Sequence, residues 1–163
     1  MGRPCVLLAP RRGAFAPGAK DGSMSDLKTE STTALLDLLG KLLEGERAGA
    51  RGVAIMSRLA KDERTRSALS GIARDEARFC AMLSRHITRL GGVPSTATGA
   101  FYDKLLAIDD MRQRLDFLDR GQGWVVRKLR EALPGITDAE LRDDLADMLE
   151  IHERNIARSQ ALR

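Results

Sequence analysis

An all-α fold, a four-helix bundle made of two antiparallel helix hairpins, is what this sequence predicts, on three observations. Four stretches repeat apolar residues at alternating gaps of three and four, the spacing that keeps one face of a helix turned inward. No stretch of useful length alternates apolar and polar residues as a strand does. Each of the four stretches also carries a polar residue on its inward line: Glu46, Glu76, Gln122 and His152, the last followed by Glu153.

Taken in order, residues 1–30 come first as an expected disordered tail. Residues 1–23 are rich in glycine, proline, alanine and arginine without periodicity. The stretch MSDLKTESTT beginning at Met24 reads as an ordinary protein start, so the true start is expected there; the rival reading of the tail is a transit-like or basic recruiting arm. The bundle is expected over 31–163. Ser31, Thr32 and Thr33 are cap candidates for a first helix reaching Leu59, whose core line runs through Leu35, Leu39, Leu42, Glu46, Gly49, Val53 and Met56.

A break around residues 61–64 starts the second helix, with core line Leu69, Ile72, Glu76, Phe79, Leu83 and His86. Gly91-Gly92-Val93-Pro94 stops it. At roughly 3.3 Å per extended residue, the connection over 91–102 is long enough to cross a bundle. One third helix is expected over 102–133, with core line Met111, Leu115, Leu118, Gln122, Val125 and Leu129, ending at Pro134-Gly135. Thr137 or Asp138 caps the fourth, which continues towards Ala161 with Leu141, Leu145, Met148 and His152 facing in.

At 163 residues and 43% hydrophobic, the chain fits one domain with a proper core. One Trp, one Tyr and four Phe leave the core to aliphatic side chains, as helix packing prefers. The net charge is +4, but Arg3, Arg11, Arg12 and Lys20 against Asp21 place +3 in the first 23 residues and leave +1 for the body. No basic face for phosphate tracking follows for the body, so nucleic-acid binding is not expected there, and a stress protein that associates with nucleic acid through its basic tail is the third reading. Two cysteines, Cys5 and Cys80, make neither a disulfide framework nor a metal-type pair, which fits a reducing cytoplasm. No membrane span is expected.

The polar positions are symmetric about the turns. Glu46 and Glu76 lie about fifteen residues from the first turn, and Gln122 and Glu153 are about equidistant from the second, so they are expected to meet in one layer. Gly45-Glu46 with Glu76 thirty residues on, and Gly121-Gln122 with Glu153 thirty-one on, make the hairpins degenerate copies of one unit. A buried carboxylate needs a partner. The candidates are a metal, a proton, Gln122, His152 or an arginine such as Arg78 or Arg127. In the absence of a cation, at least one carboxylate is expected to hold a proton.

His86 lies about 15 Å along the axis from Glu76 and is expected to be a hydrogen-bonded core histidine. Gly45, Gly49 and Gly52 form a small-residue face expected to meet Gly121 and Gly123. Trp124 is expected to pack or join a dimer contact, and Cys80 to be an inert thiol. No phosphate loop, Ser-His-Asp arrangement or CxxC is present in the sequence.

Gly45-Glu46 with Ala48, Ala50 and Arg51, and Ile72-Ala73-Arg74-Asp75-Glu76-Ala77-Arg78-Phe79, resemble the first- and second-helix motifs of ferritin-like, rubrerythrin-type bundles over about residues 33–160. DEARFCAML, GAFYDK and RGQGWVVRKLREAL are similar to an uncharacterised bacterial domain family within that superfamily. The resemblance implies a ferritin-like fold with two pseudo-repeated antiparallel helix hairpins, and metal ligands at Glu46, Glu76 and Glu153, with His152 one position out of phase. The pattern's second histidines fall on Phe79 and Ile156, and its third-helix glutamate on Gln122. It therefore implies a degenerate di-metal site in a non-catalytic protein without a cofactor, acting through association as a homodimer or with a protein partner. The alternative is a metal-dependent oxidoreductase holding iron or manganese through Glu46, Glu76, Glu153 and His152.

Overall fold

The computed structural model describes residues 24–163, with side chains from Ser31 onward. Of the tail expected over 1–30, residues 1–23 lie outside the described residues, and from Met24 the chain is helical. Helix α1 (Met24–Leu59) thus begins ahead of the caps expected at Ser31, Thr32 and Thr33, which lie inside it. A serine or threonine in a helix interior costs about half a kcal/mol relative to alanine, so nothing local forces a start there.

Asp62 caps α2 (Glu63–Arg89), its carboxylate accepting the Thr65 backbone N–H at 2.8 Å. α2 stops where Gly91 takes φ +83°, a left-handed conformation that glycine adopts without a Cβ clash. The Gly91 and Gly92 N–H groups then close onto the Thr88 and Ile87 carbonyls.

The single third helix expected over 102–133 is two helices, α3 (Phe101–Leu106) and α4 (Met111–Ala132). Asp110 breaks it. Its backbone is extended, and its carboxylate caps α4 by accepting the Gln113 N–H at 2.9 Å. Arg114, buried at the start of α4, turns back to donate to the Ile108 and Leu106 carbonyls, groups that the break leaves without helical donors. A turn of 3-10 helix over Leu133–Gly135 ends α4, and Asp138 rather than Thr137 caps α5 (Ala139–Gln160), accepting the Leu141 N–H at 2.9 Å.

The connection over 91–100 runs along α1. Gly92 lies against Leu36 and Leu105 against Gly52, while Ser95 donates to Glu44 at 2.6 Å between them. Sixteen residues of helix separate those ends, about 24 Å, so the long crossover that the sequence permits is made. It carries the chain to the far end before α4 begins. α1 and α5 therefore run one way, α2 and α4 the other. Each long helix touches two others: α1 with α2 and α4, α5 with α2 and α4. Among the described residues there is no strand, and no helix is long and apolar enough to cross a membrane.

The buried apolar residues form two clusters. One, at the end where α2 stops and α5 starts, includes Leu39, Leu42, Leu83, Leu129 and Leu145. The other, around Val53, Met56, Ile72, Leu105 and Leu118, fills the opposite end. Between them lie the polar positions that the apolar periodicity marked.

Candidate functional site

Each long helix contributes one residue to that middle layer: Glu46 from α1, Glu76 from α2, Gln122 from α4 and His152 from α5, exposed by only 2%, 3%, 3% and 1%. The heptad register puts them there, because each sits on the line that also buries Leu42, Ile72, Leu118 or Met148 one turn earlier. Their hydrogen bonds cross the bundle diagonally. His152 Nε2 meets Glu46 Oε1 at 3.1 Å, joining α5 to α1, and Gln122 Nε2 donates to Glu76 Oε1 at 3.0 Å, joining α4 to α2. Neither pair of helices is otherwise adjacent. His152 Nδ1 donates to the Met148 carbonyl at 3.0 Å, which fixes the ring on its own helix.

Protons balance the charge. Burial by itself draws the His152 pKa down, but the Glu46 carboxylate beside it, with Glu76 and the Met148 carbonyl, outweighs that and raises it to about 9. For Glu76, burial and then the Glu46 charge push the carboxyl up to about 8 against the opposing pull of His152 and Gln122. At neutral pH the layer thus contains an imidazolium paired with Glu46, and a protonated Glu76. Three oxygens of the layer have no partner among the described residues: Glu46 Oε2, Glu76 Oε2 and Gln122 Oε1.

A cavity of about 390 Å³ adjoins the layer. All four layer residues line it, with Gly45, Leu118, Trp124 and Val125, and residues 98–100 of the crossover together with Phe101 at the start of α3 form its outer wall. Its lining reaches the exposed Lys41, Gly99 and Ala100, where it meets solvent. Arg47 pins the wall by donating to the Ser95 carbonyl at 2.5 Å and the Ala97 carbonyl at 3.1 Å.

Several expectations are corrected. Glu153 is not in the layer. One residue is about 100° around a helix, so with His152 inward Glu153 points out, where it is 43% exposed and paired with Arg130 at 2.5 Å. Among the described residues no arginine serves the buried carboxylates: Arg78 pairs with Asp147 on the surface and lies over the Phe79 ring at 4.9 Å, and Arg127 is exposed. The glycine faces do not meet. Gly49 receives the Glu76 carboxylate, whose Oε2 is 2.5 Å from where a Cβ would stand, while Gly52 receives Leu105 and Gly121 receives the Phe101 ring.

Other residues stand where expected. His86 is fully buried near the end of α2 and hydrogen-bonded to Asp144 at 2.7 Å. Phe79 packs its ring 5.4 Å from that of His152. Burial, then the Glu46 charge, pushes the Cys80 thiol up to about 11, so it is not a nucleophile at neutral pH. Trp124 packs on the apolar cluster beside the cavity.

Among the described residues, the group of three whose candidate ligand atoms lie within 4.8 Å of one another is His86, Glu140 and Asp144. It already has a cation, because Arg85 reaches Asp144 at 2.5 Å and Glu140 at 3.6 Å. The residues that sequence reasoning missed are Arg47 and the cavity wall at 98–101. A basic residue next to Glu46 was visible as a signal, but nothing in the spacing showed that the crossover would reach it.

Fold and site together define a class: an all-helical bundle, braced at mid-height by a carboxylate–histidine–amide layer that opens on a side cavity. The chain belongs to the family described as a domain of unknown function, DUF6306, which matches residues 33–161. None of the curated proteins matches it.

Proposed function

We propose that this protein is a ferritin-like bundle with a degenerate di-metal site, and that it acts by binding rather than by metal-centred catalysis. The two hairpins, the long crossover and the single polar residue from each helix support the ferritin-like assignment. The observation that carries the functional reading is that the layer settles its own charge. His152 and Gln122 occupy one oxygen of each buried carboxyl, and the remaining proton sits on Glu76. Two metals sharing a site need bridging carboxylates and several nitrogen or oxygen donors. Here Glu153 faces out, Gln122 is neutral and Phe79 fills the place of an imidazole, so the residues present do not fit a di-metal centre. As for where binding happens, Leu59 and Val93 are the exposed large hydrophobics among the described residues, a small apolar footing for a protein partner. The cavity offers more.

A second reading has an observation in its favour. The bond from His152 Nδ1 to a backbone carbonyl is the arrangement that presents Nε2 to a metal, and two carboxyl oxygens nearby lack partners. A single iron or manganese ion on Glu46, Glu76 and His152 is that reading. Elemental analysis of protein from iron- and manganese-supplemented cells, beside Glu46→Ala and Glu76→Ala variants, separates the two. Little metal, equal in all three proteins, is expected. Near-stoichiometric metal in the wild type that disappears in both variants would replace the degenerate-site reading with the mononuclear one.

A further inference from the structure

We infer that the side cavity is a binding site for a small primary ammonium compound with an apolar body, the ammonium group seated on the polar layer and the body lying between Trp124 and Phe101. This rests on the reading that no metal occupies the layer. Three observations point to that chemistry.

The first is the set of orphaned atoms. Glu46 Oε2, Glu76 Oε2 and Gln122 Oε1 belong to side chains more than nine-tenths buried, all three residues line the cavity, and none of the three oxygens has a partner. Leaving buried polar atoms unsatisfied costs about 1–3 kcal/mol each. Glu46 Oε2 and Gln122 Oε1 accept outright, and Glu76 Oε2 accepts once Glu76 gives its proton to solvent, which the charge of an arriving ammonium favours; an ammonium group has three N–H donors and no lone pair. A carboxylate or phosphate ligand brings only more acceptors, next to two carboxyl groups.

The second is the rest of the cavity. Beyond the layer its walls are largely hydrocarbon and aromatic, from Leu118, Val125, Trp124 and Phe101. An ammonium of the inorganic kind or a hydrated ion leaves that surface unused, whereas a short alkyl or arylalkyl chain fills it. A volume of about 390 Å³ stands at the lower end of the roughly 300–1,000 Å³ typical of small-molecule sites.

The third is Gly45, the residue before Glu46 on α1. A Cβ built there meets nothing within 4 Å, although the residue lines the cavity. Glycine in mid-helix costs roughly 0.5–1 kcal/mol relative to alanine. Gly49, by contrast, is filled by the Glu76 carboxylate. At Gly45 no protein atom uses the space, and a bound body does. At the mouth, Lys41 and Glu44 are of opposite sign, so the rim neither repels nor selects a cation strongly.

The test uses the full chain and its single tryptophan, Trp124, as reporter. Hexylammonium chloride is titrated against Trp124 fluorescence at constant ionic strength, with hexan-1-ol and sodium hexanoate as probes of the same length. A saturable change is expected with hexylammonium, at least tenfold weaker binding with hexanol and none with hexanoate. Glu46→Gln is expected to weaken hexylammonium at least tenfold. Gly45→Leu, which grows into the open space while removing a helical glycine, is expected to abolish binding with the thermal melt kept or raised. Should that variant not fold, nuclear Overhauser contacts from the hexyl methylenes to the Trp124 and Phe101 rings in the wild type serve instead. Equal binding of hexanol, stronger binding of hexanoate, no saturable change, unaltered binding in a folded Gly45→Leu or absent ring contacts would each overturn the inference. Metal analysis of the same sample separates the failures. Near-stoichiometric metal overturns the degenerate-site reading and this inference with it, whereas a metal-free sample that binds no amine overturns this inference alone.

Discussion

Glu76 and His152 make the stability of the fold fall as the pH rises, and the sign follows from which state holds each proton. Folded His152 keeps its proton to about pH 9, while its ordinary value is 6.5. Its contribution is complete below about pH 6.5 and is lost as the pH climbs through 9. Folded Glu76 stays protonated to about pH 8 against an ordinary 4.5. Across that window the unfolded chain has released a proton that the folded chain retains, so stability again declines with pH. Each retained proton is worth a slope of at most about 1.4 kcal/mol per pH unit. The two add in direction, and urea midpoints are expected to drop from about pH 4.5 to about pH 9, most steeply between about 6.5 and 8 where both protons are retained. In Glu76→Gln, which keeps the shape and the Gln122 neighbour but cannot ionise, the slope between about pH 6.5 and 8 is expected to be about half that of the wild type. A profile that rises over this range, or one that Glu76→Gln leaves unchanged, would show that the layer does not hold these protons.

At the scale of elements, the crossover is held to α1 by few contacts, and Arg47 makes two of them. Its guanidinium serves the Ser95 and Ala97 carbonyls, which otherwise have no partner from helix or strand, and Ser95 completes the clasp through Glu44. Arg47→Ala is expected to cost about 1 kcal/mol and, more specifically, to speed amide hydrogen exchange over residues 95–101 while leaving the α2 and α5 cores protected. Uniform acceleration across the chain would mean that the clasp supports the whole bundle rather than the wall. The break between α3 and α4 shows what element-level reading misses. Periodicity through Met111, Leu115 and Leu118 is continuous with Ile108, and it hid an ordinary cap at Asp110 whose freed carbonyls are served by Arg114, a contact no spacing reveals.

For the whole molecule, the legible part was the register and the hidden part was the pairing. That Glu46, Glu76, Gln122 and His152 turn inward follows from 3.6 residues per turn and needs only the sequence. Symmetry about the turns wrongly put Glu153 opposite Gln122, because it counted residues without asking which side of the helix each occupies. Nor does register on one helix say that bonds run along the diagonals, from α5 to α1 and from α4 to α2, since that depends on how four helices surround a common axis. The diagonals matter energetically. They tie helices whose backbones are not neighbours, and they bury charge between two apolar clusters where only a partner makes it tolerable. Removing one member should therefore hurt more than removing both. His152→Leu leaves Glu46 without its cation and is expected to cost about 3–5 kcal/mol. Glu46→Leu combined with His152→Leu joins the two clusters into continuous hydrocarbon and is expected to regain most of that loss, with denaturant melts of the two single variants and the double variant giving the coupling directly. If instead the losses simply add, the pair is not the brace described here, and the bundle is held by its two clusters alone.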